Sequence, residues 1–308
     1  MPDDRHVFKR AEPIRLDALV REWLQGSWNQ TRAAISTGKI WLDGQPETDI
    51  ARMVIEGQLE YRPNTPRADR TAVLTDADVL AFTSDYVVVR KPEGLMTVPY
   101  ENERDTLESR VRRWVEKKRQ QQGRPYLGWV HRLDKETSGL CVFATSIRGK
   151  QVLQQQFQSH AAQRVYHAIV EGRALSGTIE TDLVADRGDG KRSSVNKVFP
   201  HRRKNPGPTQ HAITHVQATV FGQRLCQVVC HLETGRTHQI RIHLSETGTR
   251  IVGDPVYGET ALPREIVPPR MFLHAVELSF TDPATGQKVT FEDPVPQVFR
   301  DFWAKVEG

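Results

Sequence analysis

The sequence predicts an α+β fold with a mixed, largely antiparallel sheet and flanking helices. Short apolar and β-branched runs recur along the chain, whereas few stretches have the residue spacing of a helix. Two of these runs follow each other closely and alternate as paired strands do. The predicted strands are Tyr86–Val89, Leu140–Ala144, Val165–Val170, Ile213–Val220 and Leu225–Leu232.

Residues 1–62 are predicted to form a small module of two helices and a hairpin. Apolar residues at helical spacing predict one helix over Ile14–Leu24, and a shorter one over Gln30–Thr37 ends before a glycine. Ile40–Gln45 then reads as a strand that enters an Asp-Gly turn. Residues 63–78 contain prolines and charges without a hydrophobic period, which predicts a linker.

The second predicted domain, residues 79–308, contains further helices over Asp105–Gln122 and Gly149–Ala162, and one that begins near Thr237 and stops at Gly248. The first should start with a capping box made by Asp105 and Glu108. Its expected inner face is Leu107, Val111, Trp114 and Val115. A C-terminal helix should dock through Phe299, Phe302 and Trp303.

Composition limits the classes of function. A chain of 308 residues is long enough for two domains, and its net charge of +5 allows a nucleic-acid partner without requiring one. Three cysteines in apolar runs predict buried, reduced thiols. The polar N-terminus and the lack of a run of about 18 apolar residues predict a cytoplasmic protein with no membrane contact.

The loop from His131 to Leu140 places one carboxylate, Asp134, among basic residues before an apolar strand. A nearby positive charge favours the ionised form of an aspartate, and an ionised, partly desolvated carboxylate can act as a nucleophile or a base. The alternative is a surface loop in which Arg132 and Asp134 form an exposed ion pair that contributes little.

This loop resembles the catalytic motif of the RluA-type RNA pseudouridine synthases, position by position from His131 to Leu140. The resemblance implies that Asp134 is the catalytic residue. It also implies that Arg132, beside His131, helps to displace the target base from its stack. A sheet that is bent around a central cleft is a further expectation from the same family.

Three other stretches match the family in the expected order. They are Lys91-Pro92-Glu93-Gly94-Leu95, Arg164-Val165-Tyr166, and the run from Thr234 to Leu244. The resemblance implies that the ring of Tyr166 lies against the target uracil and that Arg241 pairs with Asp134. Substrate contacts are assigned by the same resemblance to His131, Lys91 and Ile240. Two positions depart from the family: Arg90 stands in place of Asn, and Arg164 in place of Lys.

The N-terminal module resembles, in part, the alpha-L RNA-binding motif that precedes the catalytic domain in many family members. The matching positions are Arg15-Leu16-Asp17, Arg32, and Gly38 to Gly44. The Ser-Arg pair that usually opens the second helix is replaced by Asn29-Gln30-Thr31-Arg32. A docking module, or one that no longer binds RNA, is therefore the alternative.

A basic loop from Arg187 to Lys204 contains seven Lys/Arg and one Asp. Its glycines lack the spacing of a phosphate-binding P-loop, so we interpret it as a flexible loop that grips the RNA backbone. The residues assigned to this contact are Arg187, Lys191, Arg192, Arg202 and Arg203. A disordered loop without function is the alternative.

The implied activity is the isomerisation of uridine to pseudouridine within RNA by a monomer. Asp134 would either attack the first carbon of the ribose or remove a proton from the second. No cofactor is expected, because no electrons move and no atom is lost. No metal is expected either, because Cys226, Cys230 and His231 lack a second ligand pair at zinc spacing.

Large-subunit ribosomal RNA is the favoured substrate by family analogy, and transfer RNA is the alternative. Two other classes of function are open at this point. One is an RNA-binding or ribosome-assembly factor with an idle site. The other is a hydrolase that uses Ser138 or a cysteine together with a histidine and Asp134, although no nucleophile-elbow pattern surrounds Ser138.

Overall fold

The computed structural model describes residues 5–47, 50, 52–63, 74–100, 105–120, 125–174, 176–185, 191–195, 208–257 and 260–308. The chain divides into two compact units. The first comprises Met1–Ala72 with Leu262–Val267, and the second comprises Val73–Ala261 with Pro268–Gly308. The division after residue 72 falls inside the segment 63–78 that the sequence predicts to be a linker, most of which lies outside the described residues.

The first unit is a four-stranded antiparallel sheet with two helices, ordered β1-β4-β2-β3. The sequence analysis missed strands β1 and β4. Helix α2 also begins two residues earlier than predicted, because Ser27 caps it in a capping box with Gln30. The elements are β1 (Arg5–Arg15), α1 (Leu16–Leu24), α2 (Trp28–Ser36), β2 (Ile40–Leu42), β3 (Gln45–Glu47) and β4 (Met53–Tyr61).

The Asp-Gly turn between β2 and β3 is confirmed. Asp43 and Gly44 have φ values of 50° and 79°, the left-handed backbone that a tight hairpin turn requires at both central positions. Leu16, Leu19 and Ile35 are fully buried, so the helices pack on this small sheet through the apolar stripe seen in the sequence.

The second unit is built on an eleven-stranded sheet, as counted over the described residues. Its path runs β11-β10-β12-β13-β9-β14-β8-β6-β5, with β15 beside β14 and β7 beside β8. Among the strands that the structure describes, only the β14–β8 pair is parallel, which confirms the predicted mixed, largely antiparallel sheet. The strands are β5 (Val79–Phe82), β6 (Tyr86–Lys91), β7 (Gly128–Trp129), β8 (Ser138–Ala144), β9 (Gln163–Glu171), β10 (Gly177–Val184), β11 (Ser193–Ser194), β12 (Thr209–Phe221), β13 (Leu225–Leu232), β14 (Leu273–Thr281) and β15 (Lys288–Glu292).

Four helices flank this sheet among the residues that can be described: α3 (Leu107–Arg119), α4 (Ile147–Gln158), α5 (Gln239–Glu246) and α6 (Gln297–Glu307). The predicted inner face of α3 is buried. Its predicted start is wrong, because Thr106 and Ser109 form the capping box while Asp105 pairs with Arg110. None of the described helices is long and apolar enough to cross a membrane.

Close packing of β8 on β14 determines where the Asp134 loop ends. Gly139 has φ +111°, and a Cβ there would lie 2.3 Å from the carbonyl oxygen of Ala275. Only glycine permits this approach. The packing holds the start of β8 in place, five residues after the predicted catalytic aspartate.

Candidate active site

A cleft of about 490 Å³ opens in the second unit beside the loop that carries Asp134. As far as the described part of the chain shows, its lining contains four arginines but only one acidic residue, Asp134, so the cleft suits a polyanion. It brings together six residues predicted from the sequence: His131, Arg132, Asp134, Tyr166, Ile240 and Arg241.

Asp134 presents its carboxylate to this cleft. Its side chain is 16% exposed, and its Oδ2 lies 3.4 Å from Arg241 Nη1 and 3.9 Å from His238 Nε2. The contact with Arg241 is long for a charge-assisted hydrogen bond. The carboxylate therefore lies beside fixed positive charge and remains accessible from the cleft.

Arg241 is the buried cation of the site, with 1% of its side chain exposed. Its Nε and Nη2 donate to the two carboxylate oxygens of Asp254 at 2.8 Å each, and its Nη1 lies 3.4 Å from both Asp134 and Glu136. Burial alone would lower the pKa of Arg241, but the hydrogen bonds and charge of Asp254 raise it above its ordinary value, with help from Asp134 and Glu136. Arg241 is therefore a permanent cation.

The predicted helix that carries Arg241 is α5. On an amphipathic helix, Arg241 would lie opposite the apolar stripe of Ile240 and Leu244, which is usually the exposed face. The structure instead buries every residue from Gln239 to Leu244. Because this stretch of α5 is buried, the charge of Arg241 must be balanced by its ion pairs with Asp134, Glu136 and Asp254.

Tyr166 lies on β9 in the floor of the site, between Cys230 of β13 and Ala275 of β14 in the strand pairing. It is 6% exposed and lines the cleft. Burial raises the pKa of Tyr166 to about 12, so the phenol stays protonated at neutral pH and can donate a hydrogen bond.

Arg132 and His131 are neighbours with different environments. Arg132 is exposed at the cleft. The ring of His131 stacks on Phe157 with centroids 4.7 Å apart, and its Nε2 accepts the backbone N–H of Val142 at 3.1 Å. Burial lowers the pKa of His131 to about 3, so its imidazole is neutral and supports the loop.

The structure does not support the substrate contact assigned to Lys91 from the sequence. Lys91 does not line the cleft and is 1% exposed. Its Nζ donates to the carbonyl oxygens of Leu95, Pro92 and Lys135 at 2.6, 2.9 and 2.9 Å. No N–H of this ammonium remains to bind a phosphate. Burial lowers the pKa of Lys91 to about 7.

The loop after β6 holds both neighbours of Asp134. Lys135 O accepts from Lys91 Nζ and, at 2.8 Å, from the N–H of Gly94. On the other side, Thr97 Oγ1 donates to Leu133 O at 2.7 Å and accepts the N–H of Leu133 at 3.1 Å. The Lys-Pro-x-Gly-Leu stretch therefore supports the Asp134 loop from within the core.

Replacing Lys91 with methionine should lower the free energy of unfolding by about 3 kcal/mol, because three buried carbonyls lose their donor. Urea denaturation monitored by tryptophan fluorescence would measure the loss. Lys117→Met, a change at an exposed lysine of the same unit, serves as the control. Equal, small effects in both variants would contradict a supporting role for Lys91.

The predicted RNA-gripping loop is only partly described. Lys191 donates to Val256 O at 3.1 Å, and neither Lys191 nor Arg192 lines the cleft. Arg187, Arg202 and Arg203 lie outside the described residues.

Ser138 lies in an arrangement that resembles a hydrolase triad. Its Oγ is 2.8 Å from His274 Nδ1, and His274 Nε2 is 3.3 Å from Asp293 Oδ2. All three residues are at most 7% exposed, and Arg270 Nη2 donates to the serine oxygen at 2.7 Å. Because Ser138 does not line the cleft, the arrangement offers a substrate no access and ties β8 to β14.

Several functional candidates escaped the sequence analysis. His238 lies within the stretch from Thr234 to Leu244 and Asp254 lies ten residues after its end, but nothing local marks their contacts with Asp134 or Arg241. His238 has a left-handed backbone, with φ +60°, which is unusual for a histidine. Trp129 lines the cleft and is 48% exposed, and Lys150 Nζ lies 5.9 Å from its ring centroid. The sequence signal that could have identified this residue is a tryptophan two residues before His131.

Comparison with known protein families supplies a match over residues 85–246, to a family model described as RNA pseudouridylate synthase. Similar proteins include the ribosomal large subunit pseudouridine synthase D of Neisseria meningitidis, 32% identical over 92% of this chain and 76% of that protein. The protein of the same name from Zymomonas mobilis is 38% identical over 55% of this chain and 53% of its own. RNA pseudouridine synthase YlyB of Bacillus subtilis is 30% identical over 89% of this chain and 88% of its own.

A solved structure shares the fold. Human RNA pseudouridylate synthase domain containing 4 superposes with a TM-score of 0.61 at 22% identity, over 75% of this chain and 93% of that one. The chain therefore shares its fold with a solved protein structure.

Proposed function

Because the chain belongs to the RNA pseudouridylate synthase family and so acts as an RNA pseudouridine synthase, we propose that it modifies uridines of large-subunit ribosomal RNA with Asp134 as the reacting carboxylate. The observation that carries the role of Asp134 is its position: among the described residues, it is the only acidic one that lines a cleft with four arginines. The choice of RNA rests on relatives that are named ribosomal large subunit pseudouridine synthase D.

The reaction moves one bond and one proton. The bond between uracil N1 and the first ribose carbon breaks, and a bond from uracil C5 to that carbon forms. The C5 proton passes to solvent and N1 gains a proton from solvent, so the composition of the RNA does not change. Asp134 reacts at the sugar, by attack on the first carbon or by removal of a proton from the second. Deuterium at the second carbon gives a primary kinetic isotope effect only in the latter route, where its bond to carbon breaks.

The target uridine must leave its stack before Asp134 can reach the sugar, which costs a few kcal/mol. Tyr166 offers its ring to the flipped uracil, as a wall that retains the base once its bond to the sugar is broken. Trp129, half exposed at the same cleft, provides a stacking surface for a neighbouring base. Arg132 fills the space that the uridine leaves.

The test of the proposed substrate is a reaction of the purified protein with transcripts of large-subunit ribosomal RNA and of transfer RNA, followed by pseudouridine mapping. We expect modification at discrete uridines of the ribosomal transcript. Modification of transfer RNA alone would replace the proposed substrate. RNA binding without pseudouridine in any transcript would favour an idle RNA-binding factor.

Arg132→Ala should slow turnover by up to roughly 100-fold, because the offset to an unstacking penalty of a few kcal/mol is lost. A fluorescent base analogue beside the target uridine would report less unstacking on binding. Lys135→Ala removes an exposed charge three residues away that does not line the cleft, so it is the matched control. Equal rates for the two variants would argue against a flipping role.

A further inference from the structure

Asp254 is a buried carboxylate that does not line the cleft but binds Arg241, which does. It grips Arg241 from the side away from Asp134: the two carboxylate oxygens accept Nε and Nη2 of the guanidinium, both at 2.8 Å. Both side chains are 1% exposed. A two-pronged pair of this kind fixes the plane of the guanidinium as well as its position.

Asp254 is itself held by the turn in which it lies. Its Oδ1 also accepts the N–H groups of Val256 at 2.8 Å and Tyr257 at 3.1 Å. Gly253 has φ +76°, and a Cβ there would lie 2.0 Å from the carbonyl oxygen of Arg270, so the turn requires glycine. The carboxylate therefore has a fixed orientation before any substrate arrives.

Tyr257, from the same turn, holds the second group beside Asp134. Its hydroxyl lies 2.8 Å from His238 Nδ1, and the other ring nitrogen of His238 is 3.9 Å from Asp134 Oδ2. The Tyr257 ring also lies against Arg241, with the guanidinium carbon 5.4 Å from its centroid. One short turn thus contacts both groups that approach the predicted catalytic carboxylate.

We propose that Asp254 and Tyr257 are positioning residues that hold Arg241 and His238 against Asp134 and restrict Arg241 to a single N–H group directed at that carboxylate. This inference rests on the proposed role of Asp134. The restriction matters because an arginine free to turn would pair with Asp134 through two N–H groups. Such a fork would engage the lone pairs that the carboxylate needs for reaction at the sugar.

Asp254→Asn is the most direct test. The asparagine keeps the size of the side chain and one oxygen for the turn, but its NH₂ group faces an N–H of Arg241 and breaks the fork. We expect the single-turnover rate at saturating enzyme to fall about 100-fold, since small misplacements of a reacting group have effects of that size. The affinity for RNA should stay unchanged, because Asp254 does not line the cleft.

A double-mutant cycle separates positioning from a general effect on the fold. If Asp254 acts through Arg241, then Arg241→Met combined with Asp254→Asn should react no more slowly than Arg241→Met alone. Independent, multiplying losses would overturn the proposal. A wild-type rate in folded Asp254→Asn would overturn it as well.

Tyr257→Phe provides a second variant that keeps the ring and its packing. Loss of the hydroxyl frees His238 Nδ1, so we expect a slower single turnover, with a smaller loss than for Asp254→Asn and an unchanged melting temperature. An unchanged rate would remove Tyr257 and His238 from the proposal, whether or not Asp254→Asn folds.

A readout without RNA distinguishes this inference from the proposed function. The Nε–H signal of Arg241 in an NMR spectrum should exchange slowly with water in the wild type and rapidly in Asp254→Asn. Slow exchange in both proteins would overturn the proposed positioning role of Asp254 even if ribosomal RNA is the substrate. Conversely, wild-type protein that leaves large-subunit RNA unmodified contradicts only the proposed substrate.

Discussion

Asp134→Asn should nearly abolish pseudouridine formation, with a loss of turnover on the order of 10⁴-fold. A loss of this size is expected when a catalytic carboxylate that acts together with other residues is neutralised. Asparagine has nearly the same shape and still offers an oxygen to Arg241 Nη1, which lies 3.4 Å from Asp134 Oδ2. What it lacks is the negative charge and the lone-pair reactivity needed to attack the sugar or to remove its proton. The loop should therefore fold normally around an inert side chain.

Release of tritium from RNA labelled at uracil C5 would measure this loss, and filter binding would show whether RNA affinity is kept. Glu136→Gln is a matched control. Its carboxylate lies at the same 3.4 Å from the same nitrogen of Arg241, but it does not line the cleft. We expect a much smaller loss there. Comparable losses in both variants, or full tritium release by Asp134→Asn, would contradict the assignment of Asp134.

Arg241→Met should lower the free energy of unfolding by about 3–5 kcal/mol, the range observed when one partner of a buried ion pair is removed. The reason is that Asp254, 1% exposed, would keep its charge without a counter-ion. Turnover of the folded fraction should fall as well, because Asp134 loses the fixed positive charge beside it.

Arg110→Met tests whether burial is responsible for that effect. Arg110 also forms a two-pronged pair, with Asp105 at 3.1 and 2.7 Å, but its side chain is 16% exposed. A pair nearer to water should contribute only about 1 kcal/mol or less. Urea denaturation of both variants gives the comparison, with the slope against denaturant checked for constancy. Similar losses would mean that Arg241 is not held as a buried charge.

Local patterns were sufficient for much of the fold. Alternating and β-branched runs predicted β6, β8, β9, β12 and β13, because a strand's side-chain period is a property of a few consecutive residues. The strands β1 and β4 escaped because their polar and apolar residues do not alternate regularly and their pairing joins segments about 40 to 55 residues apart. The starts of α2 and α3 were displaced for a simpler reason. Ser27 and Thr106 were the actual caps, and the sequence offered other polar residues nearby.

Motif resemblance in turn located six residues that the fold gathers around one cleft. It also assigned a substrate contact to Lys91, which is buried and does not line the cleft. Only the packing of the loop after β6 under Leu133 and Lys135 shows that the Lys91 ammonium is enclosed by carbonyl groups.

The sequence by itself determined which carboxylate is the candidate for the reaction and which elements carry it, because both are written in contiguous residues. Only the tertiary structure decided which charges surround that carboxylate. Asp134 and Arg241 are 107 positions apart in the chain. Asp254, which contacts Arg241, lies in a turn that has no helical or strand period of its own. The physical reason is that the strength of an ion pair depends on distance and burial, and both are set by packing between segments remote in the chain.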